Sequence, residues 1–152
     1  MQKADRHLRE LLEVQDTIVR LFVTTDQFDW PAVEACLADQ VTLAMTSMTG
    51  GTPLQLKPRD IVSMWADGFK GIDHVHHQVG NFQVHVNGDQ ADVFCYGIAF
   101  HYRRHIADPA KSWTFVGSYD IHLARTVGNW RIDRLKFNLR FIDGNQELEK
   151  AV

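Results

Sequence analysis

Eight histidines in 152 residues stand out, because imidazole is the side chain most easily set to proton transfer or metal ligation near neutral pH. Three crowd together as His74, His76 and His77. On a strand, His74 and His76 share one face while His77 takes the other, and no further ligand stands at a diagnostic metal spacing, so no metal site is expected. His101 closes an alternation of small residues, Cys95, Gly97 and Ala99, which leaves space beside an inward imidazole. A satisfied core histidine fits that pattern equally well. His7, His85, His105 and His122 read as surface or outer-face residues. The other informative residue is Asp26, one turn past Phe22 on an apolar helical stripe, where leucine or isoleucine would be in place. Burying a carboxylate there unpaired costs several kcal/mol, so it needs a cation, a histidine or backbone donors beside it. The alternative is a fraying helix that turns Asp26 outward to cap a turn. Cys36 and Cys95 lie among apolar neighbours without a CxxC spacing and read as reduced core thiols, not nucleophiles.

These groups need elements to position them. From Leu8, apolar residues fall at Leu8, Leu11, Leu12, Ile18, Val19, Phe22 and Val23, the spacing of one helical face. Asp29, Trp30 and Pro31 form a helix start with Asp29 as cap, and Val33, Cys36 and Leu37 are the expected buried side of a short second helix. Val41 to Met45 alternates as a strand. A Gly50-Gly51-Thr52-Pro53 breaker follows, then Pro58 opens a third helix whose inner face is Ile61, Met64, Trp65 and Phe69, ended by Gly71. The second half changes character: Gln78 to Val86, Gln90 to Tyr102, Trp113 to Arg125 and Trp130 to Ile142 are rich in aromatic and branched residues and read as strands. Asn87-Gly88 and Gly128-Asn129 are hairpin turn signals. The expected fold is therefore α+β, a single domain over residues 1–152, with three N-terminal helices packed on a curved antiparallel meander that forms a cone around a pocket.

Composition narrows the function classes. The chain is 45% hydrophobic and 23% charged, with 16 basic and 19 acidic residues and a net charge of −3. No basic run exceeds Arg103-Arg104, so a nucleic-acid partner is not expected. The opening stretch MQKADRHLRELLEVQD alternates charge with leucine and lacks the apolar core of a secretory signal, and Val93 to Phe100 falls well short of the ~18 residues that suggest a membrane span. A cytoplasmic protein with no membrane partner is the expectation. On the predicted strand Gln90 to Tyr102, Phe94, Tyr96, Ile98, Phe100 and Tyr102 make a second apolar face. That side of the sheet is then also covered, most simply by another subunit, so a homo-oligomer, dimer or trimer, is expected.

Two stretches carry a family resemblance: Thr25-Asp26-Gln27-Phe28-Asp29-Trp30, and His77-Gln78-Val79-Gly80-Asn81 leading into Asn87-Gly88-Asp89-Gln90-Ala91. Gly117-Ser118-Tyr119-Asp120 and Gly128-Asn129-Trp130-Arg131-Ile132 complete the pattern. In order and spacing these resemble the nuclear transport factor 2-like superfamily, and within it the SnoaL-like branch that includes scytalone dehydratase, bile acid dehydratase and lindane dehydrochlorinase. The resemblance implies a cone fold in which Asp26 and His77 form a catalytic dyad at the base. It also implies a supporting role for His101 and an inward Tyr119 able to donate to a substrate oxygen. The two pocket tyrosines of scytalone dehydratase match Thr25 and Met45 here, which argues against scytalone itself as substrate.

In such a dyad the carboxylate accepts from one ring nitrogen and fixes the tautomer, leaving the other nitrogen as a positioned base. Met45, Trp65 and Phe69 on one side and Phe137, Leu139 and Phe141 on the other are expected as pocket wall around a small apolar or aromatic ligand, though ordinary core is a competing reading. The leading expectation is a dehydratase, lyase or isomerase that needs no cofactor. The alternative is a non-catalytic ligand carrier or assembly module, and a cone filled by Met45, Trp65, Phe69 and Phe137 would favour it.

Overall fold

The computed structural model describes residues 2–107 and 110–148. Helix α1 (Gln2–Asp26) is followed by α2 (Trp30–Cys36), strand β1 (Leu37–Ala44), the four-residue helix α3 (Thr46–Thr49), the short strand β2 (Leu54–Leu56) and α4 (Pro58–Gly68). Four long strands complete the chain: β3 (His74–Asn87), β4 (Gln90–Tyr102), β5 (Ser112–Thr126) and β6 (Asn129–Gly144). They form one curved, unclosed sheet in the order β2-β1-β6-β5-β4-β3, with helices packed on it. The expected α+β cone is the observed architecture.

The meander β3 to β6 is antiparallel throughout. Beyond it, β1 runs parallel to β6, and β2 pairs antiparallel to β1. That arrangement departs from a purely antiparallel sheet. A three-residue strand and a pairing across some ninety residues leave no local pattern to read. Nor does α2 extend to Leu37, which is buried as the first residue of β1. The other end of α2 is as expected, with the Asp29 carboxylate accepting from the Ala32 N–H at 3.2 Å.

The buried face of α1 differs from the leucine stripe. Val14, Thr17, Ile18, Leu21, Phe22, Thr24 and Thr25 are buried, whereas Leu8, Leu12 and Val23 are exposed. Threonine can take these positions because its hydroxyl bonds back along the helix: Thr17 to the Glu13 carbonyl (2.9 Å), Thr24 to Arg20 (2.7 Å) and Thr25 to Leu21 (2.7 Å). Each hydroxyl is satisfied, so its methyl can face the core. At the other end of the sheet, Arg125 lies 4.5 Å above the Trp130 ring and reaches Glu10 of α1 (3.0 Å) and Asp89 of the β3–β4 loop (3.2 Å). This holds α1 in register on the sheet, which decides where its last residue, Asp26, arrives.

Two glycines shape the interior. A Cβ on Gly97 would lie 2.2 Å from the Tyr119 ring, and one on Gly117 2.7 Å from the Phe137 ring and 2.2 Å from the Asn138 carbonyl. Each ring therefore rests on a neighbouring strand where no side chain projects. The space left by Gly97 is filled by Tyr119, so open volume remains only farther along β4, at Ala99 and His101.

Candidate active site

β3 is the edge strand of the sheet, so one row of its N–H groups points away from β4 and needs other acceptors. Asp26, at the C-terminus of α1, supplies one. Its Oδ2 accepts from the His77 backbone N–H at 2.8 Å, and its Oδ1 lies 2.6 Å from His77 Nδ1. A carboxylate only accepts, so Nδ1 carries the proton, which in the neutral ring leaves the lone pair on Nε2. The Asp26 and His77 side chains are 15% and 10% exposed. Both carboxylate oxygens are spent on one residue, which fixes the strand position and the ring orientation together. Nε2 has no protein partner among the described residues.

His77 opens on a cavity of about 430 Å³ inside the sheet's concave face. Phe22 packs between the His77 ring (5.1 Å) and the Tyr119 ring (4.9 Å), and Phe137 backs Tyr119 at 4.8 Å. His101 is buried on the adjacent strand β4, two residues beyond Ala99, the partner of His77, with its ring 5.0 Å from Phe115 and 5.2 Å from Phe69. Met45, Trp65, Phe69 and Phe137 line the space without filling it, together with Leu135, Ala99, Trp113 and Phe115. Thr46, Met48, Thr49, Thr52, Leu54 and Met64 form the rim, and Met48, Leu54 and Met64 are exposed there.

Two expected wall residues lie elsewhere. Leu139 and Phe141 do not border the cavity, and Ile142 does. For Phe141 the reason is a register shift: Gly117 pairs with Leu139 and Val116 with Phe141, so Arg140 is an extra residue and the inward parity of β6 moves by one beyond Leu139. Phe141 is consequently 55% exposed. Leu139 instead packs at the margin of the core, where its N–H donates to Ser47 Oγ at 2.9 Å. Wall residues not singled out from the sequence include Phe22, Trp113 and Phe115. The last two share parity with Gly117 and Tyr119 on β5, so the alternation contained the signal.

His74 and His76 sit on the outer face and are exposed, against Tyr102 and Phe100 respectively. Among the described residues no group of three or more His, Cys, Asp or Glu is placed to hold a metal ion. His122 does have a partner, Asp133, with Nδ1 2.5 Å from Oδ1. Burial pushes the Tyr119 hydroxyl well above the ordinary phenol range, with the nearby Cys95 and Asp26 adding to the shift. Burial likewise pushes the Cys95 thiol up to about 12. No described helix is long and apolar enough to cross a membrane.

The SnoaL-like domain family matches residues 6–136 of this sequence. The chain belongs to the SnoaL-like family. Solved structures of the same fold include the Kfla4162 protein from Kribbella flavida, with a TM-score of 0.87 and 22% identity, covering 99% of this chain and 100% of that one. A candidate scytalone dehydratase from Novosphingobium aromaticivorans superposes with a TM-score of 0.79 at 14% identity, covering 94% and 92%. The hexachlorocyclohexane dehydrochlorinase LinA-type3 from Novosphingobium barchaimii gives 0.76 at 12% identity, covering 92% of each. No curated protein matches the sequence. At these identities the SnoaL-like cone is what is shared, and activity has to be argued from the site.

Proposed function

We propose that this SnoaL-like protein is a cofactor-independent lyase, dehydratase or isomerase acting on an apolar cyclic small molecule, with His77 as general base and Asp26 as its orienting partner. The observation that carries the reading is a carboxylate-held imidazole whose unpartnered nitrogen opens on an aromatic-lined cavity. His77 Nε2 takes a proton from carbon as the C–H electron pair moves into a new π bond. The imidazolium, stabilised by Asp26, then returns that proton to a hydroxyl whose C–O bond breaks in a dehydration, or, in an isomerisation, to the far carbon of an adjacent double bond whose π pair forms the new C–H bond. Met45, Trp65, Phe69 and Phe137 exclude water while the proton is held, and His101 takes a binding role beside the dyad on the neighbouring strand. The fold carries elimination chemistry in the dehydrochlorinase, which supports the class of reaction.

The test is turnover, or deuterium uptake from D₂O into a carbon acid, in the wild type and in His77→Ala and Asp26→Asn. General acid-base help is worth about 10²- to 10⁴-fold, and loss of that order is expected for His77→Ala. Undiminished rates in both variants would remove the dyad from the mechanism and leave the ligand-carrier reading. We further propose that a second copy of the chain covers the outer face of the sheet, where Tyr96, Phe100 and Phe141 are exposed. Sedimentation equilibrium should give an oligomer that Phe100→Glu dissociates; a wild-type monomer would refute this.

A further inference from the structure

We infer that the exposed side of α1 is a docking surface for a second copy of this chain, laid antiparallel along it and separate from the outer-face contact proposed above. α1 carries two apolar faces. One is buried on the sheet through Val14, Ile18, Leu21 and Phe22. The other is Leu8, Leu12, Val19 and Val23, which at about 100° per residue fall within about 60° of one another. Leu8 and Leu12 are each 57% exposed and Val23 is 46% exposed, with Val19 half-buried between them. A single exposed leucine is ordinary. Four apolar residues aligned over about four turns form a continuous stripe, and such a stripe marks a contact surface.

The charges beside the stripe identify its partner. Asp5, Arg9, Asp16 and Arg20 are all exposed. They repeat the stripe's spacing of four, seven and four, displaced by three residues toward the N-terminus, so they run along one flank of it. That spacing reads the same from either end of the helix, but the signs do not. They run minus, plus, minus, plus from the N-terminus and the reverse from the C-terminus. A second α1 related by a two-fold axis and laid antiparallel brings the same flank of both helices together. Asp5 then stands opposite Arg20 of the copy and Arg9 opposite Asp16, each pair occurring twice, whereas a parallel copy would set like charge against like. The midpoints of the stripe and of the charge row differ by three residues, about 4.5 Å of rise, which arginine side chains span. Within one chain Arg20 already pairs with Asp16, so Arg9 of the copy adds a second cation to a carboxylate that is held in place. Burial of the stripe supplies the attraction, and the alternating signs set its direction.

Cross-linking and sedimentation equilibrium of the full chain test this. Leu12 lies nearest the two-fold axis, so Leu12→Cys should be joined to its copy by a short bis-maleimide. Val23→Cys, more than ~20 Å from its own copy in the antiparallel pair, should not be. Cys36 and Cys95 are 1% and 0% exposed and do not compete in the folded protein. In a Phe100→Glu background, which silences the outer face of the sheet, the chain is expected to sediment as a dimer, and adding Leu12→Glu should make it a monomer. Arg9→Asp should raise the dimer dissociation constant roughly tenfold, because two symmetric attractions become repulsions. Adding Asp16→Arg should restore it, since the exchange keeps each pair and only reverses its direction. These positions are exposed, so far-UV circular dichroism should show the fold retained throughout. A Phe100→Glu chain that stays monomeric, a dimer that survives Leu12→Glu, equal cross-linking at Leu12→Cys and Val23→Cys, or an Arg9→Asp defect that Asp16→Arg leaves unrepaired would overturn the inference.

Discussion

The molecule contains two histidine-aspartate pairs of nearly equal length, His77–Asp26 at 2.6 Å and His122–Asp133 at 2.5 Å, on opposite faces of one sheet. The first joins the end of α1 to the edge strand β3. The second joins neighbouring strands, with Asp133 the extra residue at a shift in the β5–β6 register. Asp26 uses its second oxygen on the His77 backbone, and its partner opens on the cavity. Asp133 is 32% exposed and faces the outer side of the sheet, with its charge partly screened. A short distance alone thus does not mark a catalytic pair. What distinguishes the first is a cavity beside the free nitrogen and a carboxylate whose second oxygen also holds the backbone of its own histidine.

The largest effect should come from exchanging the two pairs as targets. His77→Gln is expected to lower carbon-acid exchange at least about a hundredfold, whereas His122→Gln and Asp133→Asn should leave it within about twofold. Thermal unfolding should register the outer pair only at ~1 kcal/mol or less. Equal losses from both histidines would break the distinction.

A second test compares two glycines of the same sheet. Gly97→Ala forces the packed Tyr119 ring to move and should cost about 1–3 kcal/mol in chemical denaturation. Gly80→Ala has open space for its methyl and should cost nothing measurable.

The smallest effect sharpens the contrast between the buried phenol and the rest of the molecule. The folded-state pKa of Tyr119 lies above its unfolded value, so its neutral form stabilises the fold fully below about pH 10 and that contribution is lost as pH rises beyond it. Between pH 10 and 11 the wild type should lose more stability than Tyr119→Phe. Parallel melting curves would contradict the burial argument. In the same interior, Cys95 should resist a thiol reagent at pH 8 until the protein is unfolded.

Much of the fold was legible because periodicity is a local signal. The long strands, the Asp29 cap and the Pro58 helix start each depend on residues a few positions apart, and each is where the pattern places it, except that β3 begins at His74, four residues before the expected Gln78. The face of α1 was misread because Thr17, Thr24 and Thr25 count as polar until their hydroxyls are seen bonded to the preceding turn. Phe141 was misread because one extra residue at Arg140 reverses parity for everything after it, and no composition rule announces a bulge. β2 and its pairing with β1 were invisible because three residues make no period.

Asp26 illustrates the division within the candidate site itself. The sequence alone determined that a carboxylate stood one turn beyond Phe22 on a helix and that it needed a partner, because desolvating a charge is costly wherever it occurs. Whether that partner was a histidine, a backbone donor or solvent was decided only by the tertiary structure. The packing of α1 across the edge of β3, with Arg125 holding the helix in place, brings residues fifty-one positions apart within hydrogen-bond distance. The same holds for Tyr119: its type and strand parity were written in the chain, but the seat of its ring on Gly97 exists only once β4 and β5 lie side by side.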